Sequence, residues 1–191
     1  VIERLPPVAA LPTNGGERSM NKILALSLAI VLALPLVARA DKQLIAQQSI
    51  EIRGSPKAVW DVVKNFDGLA KWHPAFKDDV IKTGKNNTKG AMRTLTLSSG
   101  ETFDEQLLKF DDSKMFFRYR IIGDSPFPIT HYVSTMSVKK SKGGMTKVIW
   151  QGKFINKADS GKTDDEVVEM ISGAYRTGLE NLKQLIESGH T

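Results

Sequence analysis

The chain has no cysteine among its 191 residues. No disulfide can staple it, no thiolate can serve as nucleophile or metal ligand, and no lipid can be attached through a cysteine. Histidine is nearly as scarce. His73, His131 and His190 lie far apart and form no pair at ligand spacing, so the sequence proposes no metal site. A glycine-rich phosphate loop and a G-x-S-x-G elbow are both missing. Ser134 has no evident base and orienter, which leaves a nucleophilic triad unsupported. No cofactor is expected. Blocks of like charge are absent too, beyond short pairs such as Lys139-Lys140. The formal charge of +6 is therefore spread thinly, which argues against nucleic-acid binding and allows a surface that docks on an acidic protein.

Long apolar runs are missing with one exception. Met20 is followed by Asn21 and Lys22, and Ile23 to Leu36 is then apolar but for Ser27 and Pro35. Ala38-Arg39-Ala40 supplies small residues at the positions a signal peptidase reads. This is the three-part pattern of a secretory leader over 20–40, with cleavage expected between Ala40 and Asp41. The run falls short of the ~20 residues that span a bilayer, so a retained anchor is the weaker reading. Residues Val1 to Ser19 carry Pro6, Pro7, Pro12 and Gly15-Gly16 without periodicity. They are expected to be a mis-called extension upstream of a start at Met20.

The segment 41–191 has the length of a single domain with a real core. Four basic and two acidic residues precede it, so it carries +4. Gln43 to Arg53 alternates as a strand with one wetter face. Gly54-Ser55-Pro56 ends it, with Ser55 as N-cap and Pro56 at the first position of a helix running to about Asn65. Asp67 to Trp72 is expected as a second short helix, ended by Pro74. The period then changes to two. Strands are expected from Val80, over Ala91 to Ser98, Glu101 to Phe110, Met115 to Ile122, His131 to Lys140 and Met145 to Ile155. Turns at 84–87, 98–100, 111–113 and 143–144 separate them, along with a Pro-rich loop at 123–128. Thr163 and Glu166 form a capping box for a long final helix. Val167, Ile171, Ala174, Tyr175, Gly178, Leu182, Leu185 and Ile186 share one face of it. Gly173 and Gly178 weaken that helix, so they mark either close packing on the sheet or room for a ligand.

Strands that follow one another, with helices grouped apart, indicate an α+β domain. The expected architecture is a curved seven-stranded antiparallel sheet wrapped around the long C-terminal helix, with two short helices after the first strand.

That order resembles the START-related helix-grip superfamily, and within it the polyketide cyclase/dehydrase-like family. The carriers are Trp72-His73-Pro74, Gly90 to Leu95, Gly100-Glu101 and Glu105-Gln106-Leu107. Tyr119 with Ile121, Pro126-Phe127-Pro128 before Tyr132, and Val148-Ile149-Trp150 with Phe154 add to these, as does Tyr175 to Leu179. The resemblance covers nearly all of 41–191 and implies a hydrophobic cavity beneath the helix. Exported members include MxaD-like proteins. Similarity to that group implies a periplasmic accessory of methanol dehydrogenase and its cytochrome c acceptor in methanol oxidation.

Strand alternation selects the side chains that face the cavity. Candidate ligand-binding residues are Arg93, Leu95, Phe103, Glu105, Phe117, Tyr119, Tyr132, Trp150 and Phe154, with Trp72 and His73 at its expected mouth. Leu97, Leu107, Ile121, Ser134, Met136 and Val148 share the same inward register. Arg93 and Glu105 lie on hairpin-linked strands and can pair across them. The polar set Arg93, Glu105, Tyr119 and Tyr132 either orients a ligand or satisfies itself within a filled core. His73 is either a general base or gate, or a loop residue held by its neighbours. Three functions remain open at this stage. They are an accessory binding protein, a carrier of an apolar small molecule or lipid, and a cyclase or dehydratase using Arg93, Glu105, Tyr119 and His73 as acid–base groups.

Overall fold

Local chemistry starts the first helix where the sequence places it. The Ser55 hydroxyl accepts from the Ala58 N–H, and Pro56 sits where no N–H is needed. The computed structural model describes residues 42–189. The expected leader at 20–40, the Ala40/Asp41 junction, residues 1–19 and His190 lie outside the described residues.

The elements run β1 (Leu44–Arg53), α1 (Pro56–Val63), a 3-10 turn (Leu69–Lys71), β2 (Phe76–Thr83), β3 (Met92–Leu97) and β4 (Thr102–Asp111). They continue with β5 (Phe116–Ile122), β6 (Ile129–Lys140), β7 (Met145–Asn156) and α2 (Asp164–Glu187). All seven strands form one antiparallel sheet in the order β1-β7-β6-β5-β4-β3-β2. The sheet is curved, and α2 packs along β1 and β7, which is the helix-grip architecture. The capping box at the start of α2 is complete. Glu166 N–H donates to the Thr163 hydroxyl, and the Glu166 carboxylate accepts from the Thr163 N–H at 2.7 Å.

Several boundaries differ from expectation, each for a tertiary reason. The first helix stops at Val63 rather than near Asn65. The second shrinks from 67–72 to the turn Leu69–Lys71. Tertiary acceptors capture backbone donors there: Asn87 Oδ1 takes the Phe66 N–H at 2.9 Å, and Asp79 Oδ2 takes the Leu69 N–H at 2.8 Å. β2 begins at Phe76, four residues before Val80, because Phe76 pairs with Leu97. A bulge between Phe76 and Asp78 hides the period-two signal.

β6 begins at Ile129 instead of His131, and its register jumps between Thr130 and Val133. His131 sits at this bulge with φ of 54° and points outward. The extra residue lets Ile129 and Tyr132 both face inward, which strict alternation forbids.

The concave face and α2 build the core. Val167, Ile171, Tyr175, Leu179 and Leu182 are buried on the helix side. Leu95, Leu107, Met136, Val148 and Phe154 are buried on the sheet side. Fully burying a side chain of this size contributes roughly 1.5–3 kcal/mol. α1 adds Val59, Trp60 and Val63. Ala174, expected on the buried face of α2, is exposed, and Ser172 is buried instead.

Candidate functional site

Between α2 and the sheet lies a cavity of about 110 Å³. Its rim comes from four places: Ala75 and Phe76 ahead of and within β2, Leu97 at the end of β3, Phe127 in the β5–β6 loop, and Met170 and Ala174 on α2. Its floor is formed by Glu105, Tyr119, Tyr132, Trp150 and Tyr175. The walls are almost wholly apolar.

The floor tyrosines and the indole bond to one another. Trp150 Nε1 donates to Tyr119 Oη at 2.9 Å and to Ser134 Oγ at 3.0 Å. Tyr132 Oη and Tyr175 Oη share a hydrogen bond of 2.6 Å. Ser134 Oγ donates to the Gln151 carbonyl at 2.9 Å. Trp150 also stacks on Tyr175 with centroids 4.4 Å apart. Burial pushes all three tyrosine hydroxyls above their ordinary range, so they are neutral donors. Gly152 makes this possible. A Cβ there would collide with the Tyr175 hydroxyl, so only glycine lets Tyr175 reach across β7.

Behind the floor sits a charge cluster. Arg93 Nε and Nη2 donate to Glu105 Oε2 at 2.9 and 2.6 Å. Nη1 donates to Asp79 Oδ2 at 3.0 Å and to the Phe66 carbonyl. The guanidinium lies 4.3 Å from the Phe66 ring centroid. Three of these partners, Phe66, Asp79 and Glu105, leave the arginine little freedom. Burial pushes Glu105 up to about 7, against the pull of Arg93. Burial raises Asp79 as well, and its Oδ1 is sealed without a partner. The Arg93–Glu105 pair follows from strand register. Asp79 was not anticipated, because alternation placed it ahead of the strand it belongs to.

His73 is buried at 2% exposure and is held on both ring nitrogens. Nε2 donates to the Ala174 carbonyl at 3.0 Å, and Nδ1 accepts from the Ala75 N–H at 3.2 Å. Burial holds it well below the ordinary histidine range, at about 4. Its ring packs against Gly178, where any Cβ would collide with it. Gly178 therefore marks close packing. Gly173 has open space where a Cβ would go.

The expected site residues fall into three groups. His73, Phe103, Glu105, Tyr119, Tyr132 and Trp150 line the cavity. Trp72, Arg93 and Phe117 instead border a minor void of about 10 Å³ under the 3-10 turn. Leu95 and Phe154 are fully buried in the core. Lining residues that the expected set lacks include Leu69, the rim members Ala75, Phe76, Phe127 and Met170, and Tyr175 on the floor. Tyr175 had a signal: it lies on the apolar face of α2 and is polar at its tip. Among the described residues no group of three His, Asp or Glu side chains converges as a metal site.

Residues 43–187 match the family model described as polyketide cyclase / dehydrase and lipid transport. Solved structures share the fold. The protein XoxI from Bacillus cereus is 31% identical, with a TM-score of 0.66 over 73% of this chain and 93% of its own. A protein from Bacillus thuringiensis is also 31% identical, with a TM-score of 0.66 over 74% and 97%. One from Nitrosospira multiformis is 26% identical, with a TM-score of 0.62 over 74% and 95%. A comparison with curated proteins finds no match.

Proposed function

The chain belongs to the polyketide cyclase / dehydrase and lipid transport family, and we propose that it is an exported carrier that holds a small apolar molecule in the cavity beneath α2. One observation carries the reading: an apolar chamber beneath α2 whose polar lining groups, apart from His73 at its edge, lie on the floor. An apolar cavity of roughly 150 Å³ is enough for benzene. At about 110 Å³ this one is somewhat smaller, so it takes a short-chain group as it stands and a ring once the rim yields. A longer ligand requires the half-buried rim side chains Phe76, Phe127 and Met170 to swing aside.

Native mass spectrometry of protein purified from its own host tests this. An added mass that is lost on organic extraction is the expected result. A clean apo mass, with no thermal stabilisation by added apolar compounds, overturns it. Export is tested by N-terminal sequencing of the protein in the periplasmic fraction, where Asp41 should be the first residue.

A second reading makes the protein a periplasmic, MxaD-like accessory of methanol dehydrogenase and its cytochrome c acceptor. The convex face of the sheet favours it. Arg118, Arg120, Lys109, Lys139 and Lys153 are exposed there, on adjacent strands. Such a face steers encounter with an acidic partner. Electron-transfer rates from the dehydrogenase to the cytochrome, measured with and without this protein at low salt, are expected to differ. Equal rates and no co-purification remove this reading.

A further inference from the structure

We propose that the cavity selects ligands carrying a neutral hydrogen-bond donor, such as a hydroxyl, and that Glu105 Oε1 is the atom that receives it. The inference rests on the reading of this cavity as a ligand site and specifies what enters it.

Glu105 is 3% exposed, yet it contributes to the cavity floor. Both Arg93 donors converge on its Oε2, at 2.9 and 2.6 Å. Among the described residues Oε1 has no hydrogen-bond partner, and it is not sealed from the cavity, unlike Asp79 Oδ1. The other polar groups of the floor are committed to one another: Trp150 to Tyr119 and Ser134, and Tyr132 to Tyr175. His73 is taken up by Ala174 and Ala75. One acceptor therefore remains open to an apolar chamber. Leaving a buried carboxylate oxygen without a donor is unfavourable, and a hydrogen bond to a charged acceptor is stronger than a neutral one.

The charge around that oxygen sets the class further. Arg93 is one cation between two carboxylates, Glu105 and Asp79. An added anion would meet an excess of negative charge in an apolar surrounding that screens it little. The site thus fits a ring-sized or short-chain alcohol or phenol and rejects carboxylates.

The test uses the purified full chain at pH 8 with phenol, toluene and benzoate, each followed by calorimetry or ligand-detected NMR. Phenol and toluene differ only in hydroxyl against methyl. The expected result is phenol bound roughly tenfold tighter than toluene, with benzoate not bound. In Glu105→Gln the phenol preference should shrink several-fold. Wild-type protein alone decides the matter if the variant does not fold. Toluene bound as tightly as phenol, or benzoate bound comparably, overturns the proposal and leaves the carrier reading standing. No binding by any of the three overturns both.

Discussion

The imidazole of His73 fills the space that a side chain on Gly178 would occupy. The same ring donates to the Ala174 carbonyl, one helical turn earlier, at 3.0 Å. The loop after the 3-10 turn and the middle of α2 are thereby locked together at the edge of the cavity.

Gly178→Ala should displace that ring. Helix propensity favours alanine by about 1 kcal/mol, but overpacking a filled site costs about 1–3 kcal/mol. Net destabilisation is expected by urea denaturation. Gly173→Ala is the control. Nothing lies within 4 Å of its Cβ, so it should stabilise by about 0.5–1 kcal/mol. Equal effects from the two changes would contradict the packing described.

His73 should remain neutral to about pH 4. The unfolded chain takes up that proton near its ordinary value of about 6.5. The contribution of His73 is thus fully present above 6.5 and lost as pH falls toward 4. His73→Gln removes the titration. The stability difference between wild type and variant should therefore shift against wild type by on the order of 3 kcal/mol from pH 7 to pH 4. Taking the difference cancels Glu105 and Asp79, which titrate in both proteins. A pH-independent difference would show that the ring protonates freely in the fold.

Arg93→Met leaves Glu105 and Asp79 buried without their cation. Breaking such a cluster from one side typically costs about 3–5 kcal/mol. Adding Glu105→Met and Asp79→Asn removes the stranded charges, and the triple variant should recover most of the loss. Denaturation midpoints of the single and triple variants give the comparison. A triple variant weaker than Arg93→Met would mean that the carboxylates stabilise the fold without the arginine.

Gly152 and Tyr175 are expected to be coupled. Gly152→Ala pushes on the Tyr175 hydroxyl and disturbs its 2.6 Å bond to Tyr132. Tyr175→Phe removes that hydroxyl at a cost of about 1 kcal/mol. In the Tyr175→Phe background, Gly152→Ala should be less harmful by about 1 kcal/mol or more, read from a double-mutant cycle. Strict additivity would place the conflict elsewhere.

Periodicity alone determined the seven strands, the long helix and the inward register of Arg93, Glu105, Tyr119 and Trp150. Those features depend on backbone geometry repeating every two or 3.6 residues, and that repeat is written in the order of residues. The Ser55 and Thr163 caps were legible for the same local reason. The tertiary structure alone decided the rest. Asp79 joins Arg93 because a bulge in β2 turns it inward, and His131 bulges so that Ile129 and Tyr132 both face the cavity. The turn at Leu69–Lys71 depends on acceptors 10 and 21 residues distant from the donors they capture. Gly178 and Gly152 are required by side chains 105 and 23 positions away in sequence, His73 and Tyr175. Such contacts leave no periodic trace, because their partners are brought together only when the sheet closes around α2. The open oxygen of Glu105 is of this second kind: its inward direction came from alternation, and its freedom from the way Arg93 occupies only Oε2.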